Sequence, residues 1–290
     1  MVKQATYEWM VKYTPQKEWI EGKGILLYLA LFFIELGAGL YFVSLFFGSK
    51  AGMLLGWLIC LGLGGGFHFV YLGKPFRVYR AVLKPGTSWI SRGMIFVAFF
   101  SVIGFINLVA VWQGQGSLFL TVLMGVIAFL ETIYAGFVLS YVAAIPLWNT
   151  ALLPALYTVA SLWGGIGLLV VINLLSGHEI DLMESWARIL LLAYGFMMVL
   201  YLLTMRYRSR AAAASIERMV KGDMATLFWG GAVMVGFVYP CIVNMMGLAG
   251  GVAPGVLVTA VLCEGLGDLS MRYCILKSAL YAPLIPAREI

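Results

Sequence analysis

The chain has 290 residues, of which 62% are hydrophobic and 11% charged, with a mean hydropathy of +0.97. A soluble domain of this size and composition would expose large apolar patches, so a water-soluble protein is excluded and an integral membrane protein is implied. The net charge of +6 rests on few residues, so their placement speaks to membrane topology rather than to nucleic acid.

Residues 1–23 are polar and aromatic. They lack the short apolar core and small-residue cleavage site of a removable leader, so the first span is expected to act as the targeting signal. Eight apolar runs follow, at 24–47, 51–72, 90–112, 118–144, 151–175, 186–205, 225–248 and 252–276. Each is near or above the ~20 residues a spanning helix needs. The runs are continuous, whereas barrel strands would alternate over about ten residues. The breaks at 113–117, 146–150 and 249–252 are short and carry Gly, Pro or Asn, which predicts tight hairpins. The expected fold is an all-α integral membrane protein of eight transmembrane helices, forming one domain over 1–290. Residues 24–145 are expected to form a first four-helix bundle and 150–277 a second packed against it, with a polar segment at 1–23 and a tail at 278–290. Small residues in 62–66 and 164–167 let helix backbones approach closely in lipid.

Eight spans put both termini on one face. Seventeen of the nineteen lysines and arginines sort to that face, leaving Lys50 and Arg188 on the other beside the acidic loop at 178–184. By the positive-inside rule the terminal face is expected to be cytoplasmic, as in a multi-pass protein of a prokaryotic inner membrane. The connection between the second and third runs is the most charged stretch. It carries Lys74, Arg77, Arg80, Lys84 and Arg92 with two prolines and a tryptophan. Such a stiff basic loop suits a partner protein or anionic lipid head groups, although the cations serve equally as topology signals.

Ionisable residues at bilayer depth are costly, and each is a candidate functional group. Glu35 lies midway along the first run, Glu131 midway along the fourth, and Glu264 and Asp268 in the eighth; Asn107 and Asn173 are neutral additions. Glu131 and Tyr134 share a helix face, as do Glu264 and Asp268. Paired carboxyls in low dielectric resist ionising together, a property wanted in a proton relay; interhelical hydrogen bonding by protonated acids is the competing role. Tyr134 is placed about 15 Å below the terminal face and His68 nearer to it, at 1.5 Å per helical residue. A tyrosine hydroxyl and an imidazole facing one apolar cleft are the donors that the two carbonyl oxygens of a quinone require.

The four cysteines (Cys60, Cys241, Cys263, Cys274) are scattered with no Cys-x-x-Cys spacing, so they read as small buried hydrophobes and no metal site is expected in this chain. Two histidines, His68 and His178, fall short of the four axial ligands of a two-haem cytochrome, so no haem is expected either.

The pattern running from His68 through Gly73-Lys74-Pro75 to Arg77, then Ser88-Trp-Ile-Ser-Arg-Gly93, Tyr134-Ala-Gly136 and Pro146-Leu-Trp-Asn149, resembles the NrfD-like membrane subunits of respiratory complexes, among them that of polysulfide reductase. The similarity covers the first five runs. The resemblance implies a haem-free, eight-helix subunit that exchanges electrons between membrane quinone (menaquinone or ubiquinone) and an iron–sulfur subunit, itself paired with a catalytic subunit, commonly a molybdenum enzyme. It also implies that Tyr134 contributes to the quinone site. The family's Asn and His at the start of the first helix are replaced here by Leu27 and Ala30, and His68 or Glu35 is expected to substitute. Family members of the polysulfide reductase type turn their docking face outward, in contrast to the charge bias of this chain.

Two other readings fit eight spans with buried carboxylates: a polytopic ion or solute transporter and a purely structural membrane anchor. Against the transporter stands the lack of an evident internal repeat and of paired broken helices.

Overall fold

The computed structural model describes residues 8–285, with the backbone alone for Glu8, Trp9, Pro75 and Phe76. Among the described residues, eight helices are long and apolar enough to cross a membrane. The first span is Gly24–Phe46, the second Lys50–Tyr71, the third Trp89–Trp112 and the fourth Leu118–Ser140. The fifth is Leu152–Leu175, the sixth Asp181–Arg208, the seventh Leu227–Gly250 and the eighth Pro254–Lys277. Lys3, Arg288 and the outer parts of the expected N-terminal segment and C-terminal tail lie outside the described residues.

Helix starts follow local chemistry. Ser49, Ser88 and Ser117 accept from the N–H groups of Gly52, Ser91 and Leu120 at 3.2, 3.3 and 3.2 Å, capping the second, third and fourth spans. The four turns on the face opposite the termini each hold a glycine at positive φ (Gly48, Gly114, Gly177, Gly251), where a side chain would be strained. The sixth span overruns its apolar stretch at both ends. Asp181 and Glu184 sit in its first turn and Arg206 and Arg208 in its last, so charges complementing the helix dipole carry the helix beyond the hydrophobic run. The fourth span stops at Ser140, short of 144, because the following residues turn around Pro146. A further helix, Arg210–Val220, joins the sixth and seventh spans; Ser209 caps it, and its polarity hid it among the connections.

The first span is central, packing on the second, fourth and fifth. The third lies on the second and fourth, the fifth also meets the fourth, sixth and eighth, and the seventh packs chiefly on the eighth. The first and fifth spans approach most closely at Gly39 and Gly165. A Cβ on Gly39 would stand 2.1 Å from the Ser161 carbonyl oxygen, so only glycine permits this crossing. Large buried aromatics fill the interior beyond it; Tyr201 donates to the Leu147 carbonyl at 2.8 Å and Trp148 to that of Ile275 at 3.0 Å. Leu118, Phe119, Phe196 and Leu248 are exposed, as lipid-facing side chains should be. Cys60 and Cys274 are buried, whereas Cys241 and Cys263 are only half-buried, so the expectation of four buried thiols is corrected for the latter pair. Their helix faces border the lipid side of the packing.

The two described ends meet on one face. Strand β1, Thr14–Pro15, pairs antiparallel with β2, Leu280–Tyr281. Gln16 seals the join, donating from its backbone to Ala279 and from its side chain to Leu276, each at 2.9 Å. Lys277 forms an ion pair with Glu21 across the same junction.

Candidate functional site: a cavity at the terminal face

A cavity of about 430 Å³ opens at the terminal face, within the roughly 300–1,000 Å³ of small-molecule sites. The ends of the second and fourth spans, the starts of the first and third, the connection carrying Val78 and Ala81, and the segment before the first span build it. His68 and Tyr134 both line it, with Leu31, Ile34, Met94 and Val97 among the apolar walls. These two residues belong to separate spans, and the fold brings them to one chamber. The shorter fourth span puts Tyr134 about 9 Å from its end rather than 15 Å. Two features seat the tyrosine. Gly93 leaves room for the ring, since a Cβ there would lie 2.0 Å from Tyr134 Cε2. Trp89 stacks on Phe137 at 4.4 Å beside it. The His68 Nδ1 is buried with no hydrogen-bond partner among the described residues. An unpaired buried donor or acceptor at a cavity wall is open to a ligand's polar atom.

The intramembrane carboxylates divide into two groups. Glu35 is fully buried; its Oε1 accepts from the Ala135 N–H at 3.0 Å and its Oε2 from the Arg272 guanidinium. Arg272 also donates to Asp268 at 2.9 Å and lies 4.2 Å over the Tyr157 ring. The charge count assigns Arg272 to the cations of the terminal face, and the fold corrects that reading. It is 3% exposed inside the eighth span, where two carboxylates repay its transfer from water. Glu264 and Asp268 share a face as expected, but Asp268 is joined to Arg272, while the Glu264 Oε2 has no partner among the described residues.

Glu131 is also fully buried, and neither of its carboxyl oxygens has a hydrogen bond among the described residues. It stands one helical turn from Tyr134 yet does not line the cavity. Asn107 donates to the Tyr41 hydroxyl at 2.8 Å, and Asn173 back to the Leu169 carbonyl at 3.0 Å. Both are held locally.

In the basic connection, Lys74, Arg77, Arg80 and Lys84 are exposed. Arg92 is placed differently: it donates to the carbonyls of Pro85 and Gly86 at 2.7 and 2.9 Å and covers the Trp89 ring at 4.5 Å. Its guanidinium therefore braces the loop from within. His178, in the opposite loop, is exposed and far in sequence from this constellation.

Sequence reasoning missed two residues that the site contains. Glu18 and Trp19, from the segment before the first span, line the cavity mouth. The signal was a carboxylate and an indole just outside a span, but only the pairing of the two chain ends turns them inward. No metal-binding cluster of three or more His, Cys, Asp or Glu is present among the described residues.

The sequence matches the family described as "Polysulphide reductase, NrfD" over residues 23–283. Among curated proteins it resembles a "Protein NrfD homolog" of Haemophilus influenzae, 23% identical over 130 residues, which is 43% of this chain and 40% of that protein. It also resembles the C subunit of the polysulfide reductase of Wolinella succinogenes, 27% identical over 119 residues, 39% of this chain and 38% of that protein. The matched stretches thus span about two fifths of these relatives. The family match covers nearly the whole eight-span architecture, and so this multi-pass integral membrane protein belongs to the NrfD polysulphide reductase family.

Proposed function

We propose that this protein is the quinone-reactive membrane subunit of a respiratory oxidoreductase complex in a prokaryotic inner membrane. The observation that carries the reading is the apolar cavity that Tyr134 and His68 both line, with the His68 Nδ1 unpaired among the described residues. A quinone ring has two carbonyl oxygens to satisfy and an apolar body to bury, and this chamber matches both needs. Electrons pass between the quinone and an iron–sulfur partner, in line with the name of the Wolinella succinogenes relative as one component of a reductase. A catalytic subunit, such as a molybdenum enzyme, completes the assembly. Lys74, Arg77, Arg80 and Lys84, exposed beside the cavity, form the docking surface; complementary charge would both steer and orient the partner. The bias of cations toward this face assigns it to the cytoplasm.

Protons accompany the electrons. Glu131, next to Tyr134, is the relay carboxyl on the buried side, with Glu35 beyond it and Asp268 and Glu264 as further stations.

Binding of a short-chain quinone analogue to the purified protein tests the reading. Micromolar binding is expected, and Tyr134→Phe should weaken it about tenfold through the lost hydrogen bond. A wild-type protein that binds no analogue would overturn it.

A further inference from the structure

The buried relay leaves one question of chemistry open: how the cavity exchanges protons with the solution it faces. Glu131 lines neither the cavity nor any exposed surface. Among the described residues that line the cavity, Glu18 is the one carboxylate, and it is also exposed to the terminal face. It touches both compartments.

Its position is built rather than incidental. Gln16, buried at 1% exposure, anchors the segment to the end of the eighth span, and its Oε1 accepts from the Trp19 N–H at 2.9 Å. Ile20 is buried at 4%, and Trp19 meets Trp148 edge-on at 5.6 Å. Between these anchors Glu18 Oε2 accepts from the Lys17 N–H at 3.2 Å and from the Tyr281 hydroxyl of β2 at 3.3 Å. Donation from its own backbone N–H, and then from that of Lys17, holds the carboxyl below its ordinary value. The group is thus a carboxylate at neutral pH, ready to accept a proton.

We propose that Glu18 is the proton-exchange residue of the cavity, passing head-group protons between the bound quinone and the solution on the terminal face. The proposal rests on the quinone reading above. In quinol oxidation each hydroxyl O–H bond breaks, its proton going to the Glu18 carboxylate and then to water. The two electrons leave for the metal clusters of the partner, and the two C–O bonds become C=O. Quinol thus yields quinone, two protons and two electrons, and quinone reduction is the same sequence reversed.

The experiment uses the complex purified with its partners, turning over a short-chain naphthoquinol against an artificial dye acceptor. Glu18→Gln, which keeps the shape and accepts the same hydrogen bonds, is expected to slow turnover five- to tenfold while analogue affinity stays within twofold of wild type. Glu18→Ala should be slowed similarly and be restored at least threefold by millimolar formate, a small acid able to carry the proton in place of the side chain. Wild-type turnover in Glu18→Gln, or slowing in Glu18→Ala that formate leaves unchanged, would overturn the proposal. Failure of the quinone reading would look different, because the wild-type complex itself would neither bind the analogue nor oxidise the naphthoquinol.

Discussion

Glu35 and Glu131 sit on adjoining spans, both with no exposed surface, and the interior treats them in opposite ways. Glu35 is bonded by Arg272 and by the Ala135 N–H, whereas Glu131 has neither a cation nor a donor among the described residues. The difference teaches that depth in the membrane does not determine what a carboxyl group does. Charge balance does. Around Glu35 one guanidinium faces two carboxylates, which ties the first and eighth spans through an ion-pair cluster that cannot lose a member cheaply. Around Glu131 no described group compensates a negative charge, so nothing ties this carboxyl to a neighbouring span.

Three substitutions sharpen this contrast. The largest effect is expected from Arg272→Ala, which strands two buried carboxylates and should cost about 3–5 kcal/mol. Thermal unfolding of the detergent-solubilised protein would show it as a marked fall in midpoint or a failure to accumulate; a wild-type midpoint would break the comparison. Glu35→Gln is milder. It leaves one guanidinium opposite one carboxylate and retains an acceptor oxygen, so the same assay should register a loss of about 1–2 kcal/mol. Glu131→Gln should leave the midpoint and assembly unchanged, since no bond is lost, while steady-state quinone turnover slows several-fold. A destabilised Glu131→Gln protein would mean that this carboxyl also holds helices together.

Much of the architecture is legible in the sequence because lipid imposes a single solution on long apolar runs. The eight runs match the eight spans to within a few residues at most ends, and His68 and Tyr134, expected to face one cleft, both line the cavity. The errors have a common physical origin. Arg272 stands five residues from the end of its span, close enough to pass for a topology signal, and only its packing against Glu35 and Asp268 reveals a buried charge. For Arg92 the sequence offers a cation of the basic connection and gives no sign that its guanidinium also closes on the carbonyls of its own loop. Glu18 is invisible for a related reason: the segment carrying it is positioned by residues at 276–281, and pairings of such separation leave no local pattern. The helix at Arg210–Val220 escapes because hydropathy marks what lies in lipid and is silent on helices that lie along it.

The tie between the two ends of the chain also bears on biogenesis. Spans enter the bilayer in the order of synthesis, and the residues that hold Gln16 and Glu18 are the Leu276, Ala279 and Tyr281 at and beyond the end of the last of them. While the ribosome is still producing the fifth, sixth or seventh span, the segment before the first lacks its partners at 276–281 and the chamber lacks its anchored rim. The subunit therefore acquires a finished mouth only once residues 276–281 have been made, and a product stalled before them would present an unguarded chamber.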